Sequence, residues 1–143
     1  QAHPRGVRTC PRAARCASMI DVSPFNEKLG IEVRDEADGS VVLAVDANAS
    51  FHNEVGAVHG GVALFLLDGA MGRAACRTLA EGESCATVQI SIQFIAPLEG
   101  RIEARGQVTK RGRRIAFLEG TCKDRNGKLI ARAQGTWAIL QRS

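Results

Sequence analysis

The chain has 143 residues, 45% of them hydrophobic and 24% charged, the proportions of one soluble globular domain with a sizeable core. Its formal charge is +4, but the excess lies in residues 1–18, which hold Arg5, Arg8, Arg12 and Arg15 and no acid. The remainder is neutral, which argues against nucleic acid as a partner, and the uncharged run VGAVHGGVALFLL is too short to span a bilayer.

Residues 1–18 carry two prolines and no periodic pattern. They are expected to be a basic appendage upstream of a start at Met19 and are set outside the fold. A transit peptide would be richer in serine and helical, and Pro4 and Pro11 interrupt this stretch; a membrane or nucleic-acid tether is the remaining alternative. Residues 19–143 are then one domain. It opens with a helix start, in which Ser23 can cap and Pro24 suits the first turn, and Gly30 ends the helix. Two strand-like runs follow on either side of Ala37-Asp38-Gly39-Ser40, where Asp-Gly marks a hairpin. The second run, VVLAVDA, is apolar enough to be buried.

After a loop over residues 48–58 a helix is predicted from about Gly60 to Leu79. Its segment VALFLLDGAM is apolar on every side except at Asp68, so the helix should be buried. The neighbours of Asp68 on the helix surface are Leu64, Phe65, Met71 and Gly72, and none can pair with a carboxylate. Asp68 therefore needs a partner outside the helix, or is held there for chemistry. Gly69 and Gly72 are expected to admit another backbone or a ligand chain at close range. The rest of the chain is strand: Thr87–Phe94 alternates polar and apolar, and three further runs are joined by turns at Arg111-Gly112-Arg113-Arg114 and Arg125-Asn126-Gly127-Lys128. The five cysteines, at 10, 16, 76, 85 and 122, fit neither a zinc site nor a disulfide framework. They read as reduced thiols of a cytoplasmic protein, with Cys76 and Cys122 as small core residues.

Two strands, one long apolar helix and four more strands make an α+β chain with a six-stranded antiparallel sheet wrapped around one long central helix. That order, with Asn53-x5-His59-Gly60-Gly61-x6-Asp68, then Thr87 and Pro97, and the ending Gly112-Arg113, Asp124, Gly127 and Ala131-x-Ala133-x-Gly135-Thr136, resembles the hot-dog acyl-CoA thioesterases of the phenylacetate-degradation type. The resemblance covers roughly residues 24–140.

The residues can be read chemically on their own. Thioester hydrolysis needs a base or nucleophile at the carbonyl carbon and donors for the oxyanion. Gly60, at a helix N-terminus, offers a backbone N–H with the helix dipole behind it. Asp68, eight residues on, is about 12 Å away along its own helix and cannot serve the same carbonyl. The resemblance implies a homodimer with shared active sites, the Gly60 end of one subunit meeting Asp68 of the other, and a dimer of dimers, a homotetramer, in the cytoplasm. It implies that Asp68 activates water or attacks an acyl- or aryl-acyl-CoA directly, that Thr87 positions the water, that Asn53 orients water or thioester, and that His59 holds the loop and assists the oxyanion donors. No cofactor or metal is implied, since coenzyme A is part of the substrate.

Plainer readings stand beside each role. Asp68 as a hydrogen-bonded core residue, Asn53 as a loop cap, His59 as a loop residue and Thr87 as an ordinary strand residue all need no substrate. Arg111, Arg113 and Arg114 could bind the phosphates of coenzyme A or form a solvated turn. Cys76 and Cys85 have no evident base to make them nucleophiles. Two other functions share the fold: a non-catalytic acyl-CoA-binding protein, and a hydratase or dehydratase, whose Asp-x-Asn-Pro-x-His type of motif is absent from the sequence.

Overall fold

The computed structural model describes residues 23–141. The proposed start at Met19, the basic segment, Cys10 and Cys16 lie outside that range. The chain order is α1 (Pro24–Leu29), β1 (Glu32–Asp35), β2 (Val41–Asp46), a 3-10 turn (Ala49–Phe51), α2 (Gly61–Cys76), β3 (Glu83–Phe94), β4 (Arg101–Arg111), β5 (Ile115–Asp124) and β6 (Leu129–Gln141). The six strands form one antiparallel sheet in the order β1-β2-β4-β5-β6-β3, with α2 packed across it. This is the hot-dog architecture expected from the sequence.

Local chemistry sets most of the boundaries. The Ser23 hydroxyl accepts the Asn26 N–H at 3.1 Å, and Gly30 closes α1 in the left-handed region at φ 68°. In the β1–β2 turn the Asp38 carboxylate accepts from both the hydroxyl and the N–H of Ser40, and Arg105 of β4 pairs with it from outside. The Ser40 contacts, led by its hydroxyl, hold the Asp38 carboxyl down at about 2. Val41 to Val45 are all buried, as the apolar run requires.

Alternation along β4, β5 and β6 turns Ile102, Ala104, Ala116, Leu118, Cys122, Ala131 and Trp137 onto α2. They meet Ala63, Leu66, Leu67, Ala70 and Met71 of the helix. One residue permits the close approach: a Cβ on Gly106 would stand 2.4 Å from the backbone nitrogen of Met71. Burial also pushes the Cys122 thiol up to about 12, so this thiol is inert packing.

Five expectations need correction. The helix ends at Cys76 rather than Leu79, because the Thr78 hydroxyl takes the Ala75 carbonyl at 2.7 Å and the chain turns off toward β3. The strand β3 begins at Glu83, four residues before Thr87, after a turn tied by Ala80 and Glu83. Its alternation is broken by a register shift between Thr87 and Gln89, which leaves Val88 as an extra, outward residue. Burial of α2 is also incomplete. Leu64 is 39% exposed and Asp68 is half-buried, so the stripe Gly60, Leu64, Asp68 is open in the single chain. Gly69 and Gly72 do not admit a foreign backbone: they receive the Leu43 and Trp137 side chains of the sheet.

Candidate active site

The strand order carries β3 to the far edge of the sheet, where among the described residues it pairs with β6 alone. On β3 Thr87 lies opposite the buried Trp137, which turns its side chain inward over the open stripe of α2. Its hydroxyl donates to Asp68 Oδ1 at 2.9 Å. Asp68 thus has its partner outside its own helix. The Val88 bulge lies directly after Thr87, and it absorbs one residue of β3 without turning the inward side chains Ile90, Ile92 and Phe94 away from the core side.

The other end of the site is the entry to α2. Asn53 organises the preceding loop. Its side-chain oxygen accepts the N–H groups of Val55 and Ala57, each at 3.1 Å, and its backbone N–H donates to Ala57 at 2.7 Å. With the oxygen so used, the amide nitrogen is the remaining polar half of the group, and it has no acceptor among the described residues. His52 and Val58 then form an isolated bridge that closes the loop.

Gly60 has no side chain with which to cap the helix. His59 does so instead: its Nδ1 accepts the Gly61 N–H at 2.8 Å and its carbonyl accepts the Val62 N–H at 3.0 Å. A neutral His59 in this geometry carries its proton on Nε2, an assignment that follows from the bond. Two of the orphan donors of the helix start are therefore taken. The Gly60 N–H is not: it has no acceptor among the described residues. Both glycines lie close under a side chain. A Cβ on Gly61 would lie 2.8 Å from His59 Nδ1, and a Cβ on Gly60 would lie 3.0 Å from the Phe94 ring.

Phe94 was not singled out from the sequence. It ends β3 in phase with Ile90 and Ile92, is 55% exposed, and covers Gly60. Leu64 of α2 and the next residue, Ile95, are large apolar side chains that are exposed as well. The only sequence signal for it is that phase.

The three candidate phosphate-binding arginines divide. Arg111 is turned into the body, donating to Glu83, to the Thr78 hydroxyl and to the Gly112 carbonyl. Glu83 in turn is held below the usual carboxylate range, first by the Ala80 N–H and then by Arg111. Arg113 and Arg114 are exposed and line a cavity of about 600 Å³ with Ile139, Leu140 and Gln141. No cluster of three or more metal-ligating side chains occurs among the described residues.

Comparison with known proteins extends this picture. The model of the thioesterase superfamily matches residues 55–131. A Saccharolobus solfataricus protein that carries the name of an esterase is 31% identical over 133 residues, 86% of this chain and 88% of its own. Among solved structures, a phenylacetic acid degradation-related protein of Ralstonia eutropha superposes with a TM-score of 0.77 at 28% identity, covering 89% of this chain and 98% of its own. A Bacillus halodurans protein solved with coenzyme A superposes with a TM-score of 0.78 at 23% identity, covering 92% of this chain and 87% of its own.

Proposed function

Because this chain belongs to the thioesterase superfamily, we propose that it hydrolyses acyl-CoA or aryl-acyl-CoA to a free acid and coenzyme A. The observation that carries the reading is the pairing of an acceptor carboxylate with an uncommitted donor. Asp68 sits half-buried on an open helix stripe, oriented by Thr87, and the Gly60 N–H at the positive end of the same helix is unspent.

In the proposed mechanism the thioester oxygen lies at the Gly60 N–H. Asp68 takes a proton from a water molecule, or attacks the carbonyl carbon itself, and Thr87 fixes the carboxylate's orientation. The Asn53 amide nitrogen donates to the thioester or the water, and His59 holds the loop that presents both groups. The leaving thiolate is a good leaving group, so no cofactor is required; coenzyme A is substrate. Gly60 and Asp68 stand about 12 Å apart along α2, too far to share one carbonyl. The proposed site therefore combines the Gly60 end of one subunit with Asp68 of a second, in a homodimer that pairs through the open edge of β3 and assembles further as a dimer of dimers. The open stripe and the exposed β3 edge support that arrangement.

Arg113 and Arg114 are the proposed contacts for the phosphates of coenzyme A, with Arg111 supporting the turn from behind. The coenzyme A of the Bacillus halodurans neighbour and the phenylacetic acid context of the Ralstonia eutropha one support the substrate class. A coenzyme A ester would be met in the cytoplasm; no helix among the described residues is long and apolar enough to cross a membrane.

The test is release of thiol from a panel of acyl- and aryl-acyl-CoAs. Asp68→Asn keeps the shape and removes the charge, and kcat should fall at least ~100-fold, the scale of a lost general base or nucleophile. Near-normal turnover by a folded Asp68→Asn protein would end the assignment.

A further inference from the structure

The mechanism leaves Cys76 and Cys85 unused, yet the fold brings their sulfurs to 3.4 Å. Cys76 is the last residue of α2 and Cys85 the third of β3. Both are half-buried, unlike Cys122, which is sealed in the core. The two face each other because Cys85 lies opposite Ile139 and Thr87 opposite Trp137, so both β3 side chains point inward onto α2.

We infer that Cys76 and Cys85 are a reversible disulfide site, oxidised by a small peroxide, that staples the end of α2 to β3 and so displaces Thr87 from Asp68. The effect on turnover rests on the thioesterase reading; the site itself does not.

The chemistry balances with hydrogen peroxide as oxidant. One thiolate attacks a peroxide oxygen, an S–O bond forms, the O–O bond breaks, and the departing hydroxide is protonated to water. The second sulfur then attacks the sulfenic sulfur, forming the S–S bond and breaking S–O, and a second water leaves. Two thiols lose two electrons and one peroxide becomes two waters. A sulfenic acid on either residue has its resolving thiol already in contact, the arrangement that favours a disulfide over further oxidation.

The mechanical consequence follows from the anchoring. A disulfide needs an S–S distance of about 2.05 Å, so the sulfurs must close by about 1.4 Å. The end of α2 is held by Ala74 and Ala75, both essentially inaccessible, whereas the stretch of β3 from Glu83 to Val88 has no fully buried residue in the single chain. The strand therefore yields. Thr87 is two residues from Cys85 on the same face, and its 2.9 Å bond to Asp68 weakens with a fraction of that shift.

The test treats the full chain with hydrogen peroxide, alkylates the remaining thiols and digests with trypsin without reduction. A disulfide would join the peptide 74–77 to the peptide 78–101, a link distinct from any that Cys10 or Cys16 could form. The expected result is that link, an acyl-CoA kcat lowered about 2- to 10-fold, the scale of a hydrogen bond to the carboxylate that is weakened rather than lost, and recovery with dithiothreitol. Cys76→Ser and Cys85→Ser should each keep their kcat under peroxide. Separate alkylation of both cysteines after oxidation would overturn the site. A link that forms with kcat unchanged would overturn its coupling to Thr87. If the reduced protein cleaves no acyl-CoA, the functional reading fails instead, and slowed amide exchange over β3 on oxidation becomes the measure of the staple, its absence counting against it.

Discussion

Thr87 and Asp68 are nineteen residues apart in sequence and 2.9 Å apart in space. Half-buried without a partner, the Asp68 carboxylate would be a cost; with a hydroxyl donor held on β3 it becomes an oriented acceptor. If that orientation serves catalysis, Thr87→Val should lower kcat about 10-fold with little change in KM, the scale of a lost positioning bond, and Thr87→Ser should restore most of it. Steady-state kinetics on the three proteins decides this; a fully active valine variant would make the bond purely structural. At the Arg113-Arg114 turn the contrast is between substrates. Arg113→Glu with Arg114→Glu should raise KM for an acyl-CoA more than for the same acyl group on pantetheine, because only coenzyme A carries the nucleotide phosphates. Equal effects on both would put the nucleotide elsewhere.

At the scale of elements the molecule depends on how closely α2 can lie on the sheet. Gly106 sets that distance, since any Cβ there meets the Met71 and Ala70 backbone at under 3 Å. Backbone cannot rotate aside as a side chain can, so Gly106→Ala should destabilise by about 2 kcal/mol or more, the cost of overpacking. Urea unfolding gives the value, and an unchanged midpoint would contradict the packing account. The elements themselves were largely legible in the sequence. Asp38-Gly39 and Asn126-Gly127 name their own turns, with both glycines at positive φ, and the run Val41–Val45 names a buried strand. What was illegible depended on contacts distant in sequence. Nothing near Gly106 tells that α2 lies on it rather than a bulge. The break at Val88 follows from β3 pairing with β6, and the early end of α2 from a threonine that bonds back to the helix.

At the scale of the whole molecule the open stripe of α2 matters most. Apolarity around the helix predicted complete burial, but the described residues of one chain leave Leu64 and Asp68 accessible and the edge of β3 unpaired. The sequence could name Asn53, His59, Gly60, Asp68 and Thr87 as a constellation. It could not tell that His59 spends the Gly61 donor and leaves the Gly60 donor over, because that choice is made by side-chain geometry at the helix start. Nor could it reveal Phe94, whose place over Gly60 needs the crossing of β3 to the far edge.

A second copy of the chain resolves the incompleteness if each site takes its loop and Gly60 from one subunit and its carboxylate from the other. The most direct measurement mixes two variants, Asn53→Ala and Asp68→Asn, each inactive alone if both residues are essential. In a mixed dimer one site carries both lesions, while the other receives an intact Asn53 from one chain and an intact Asp68 from its partner. Equal amounts pairing at random make about half the dimers mixed, each with one of two sites intact, so acyl-CoA hydrolysis should return to about one quarter of wild type. Subunit exchange shown by mass spectrometry with no return of activity would contradict the shared site.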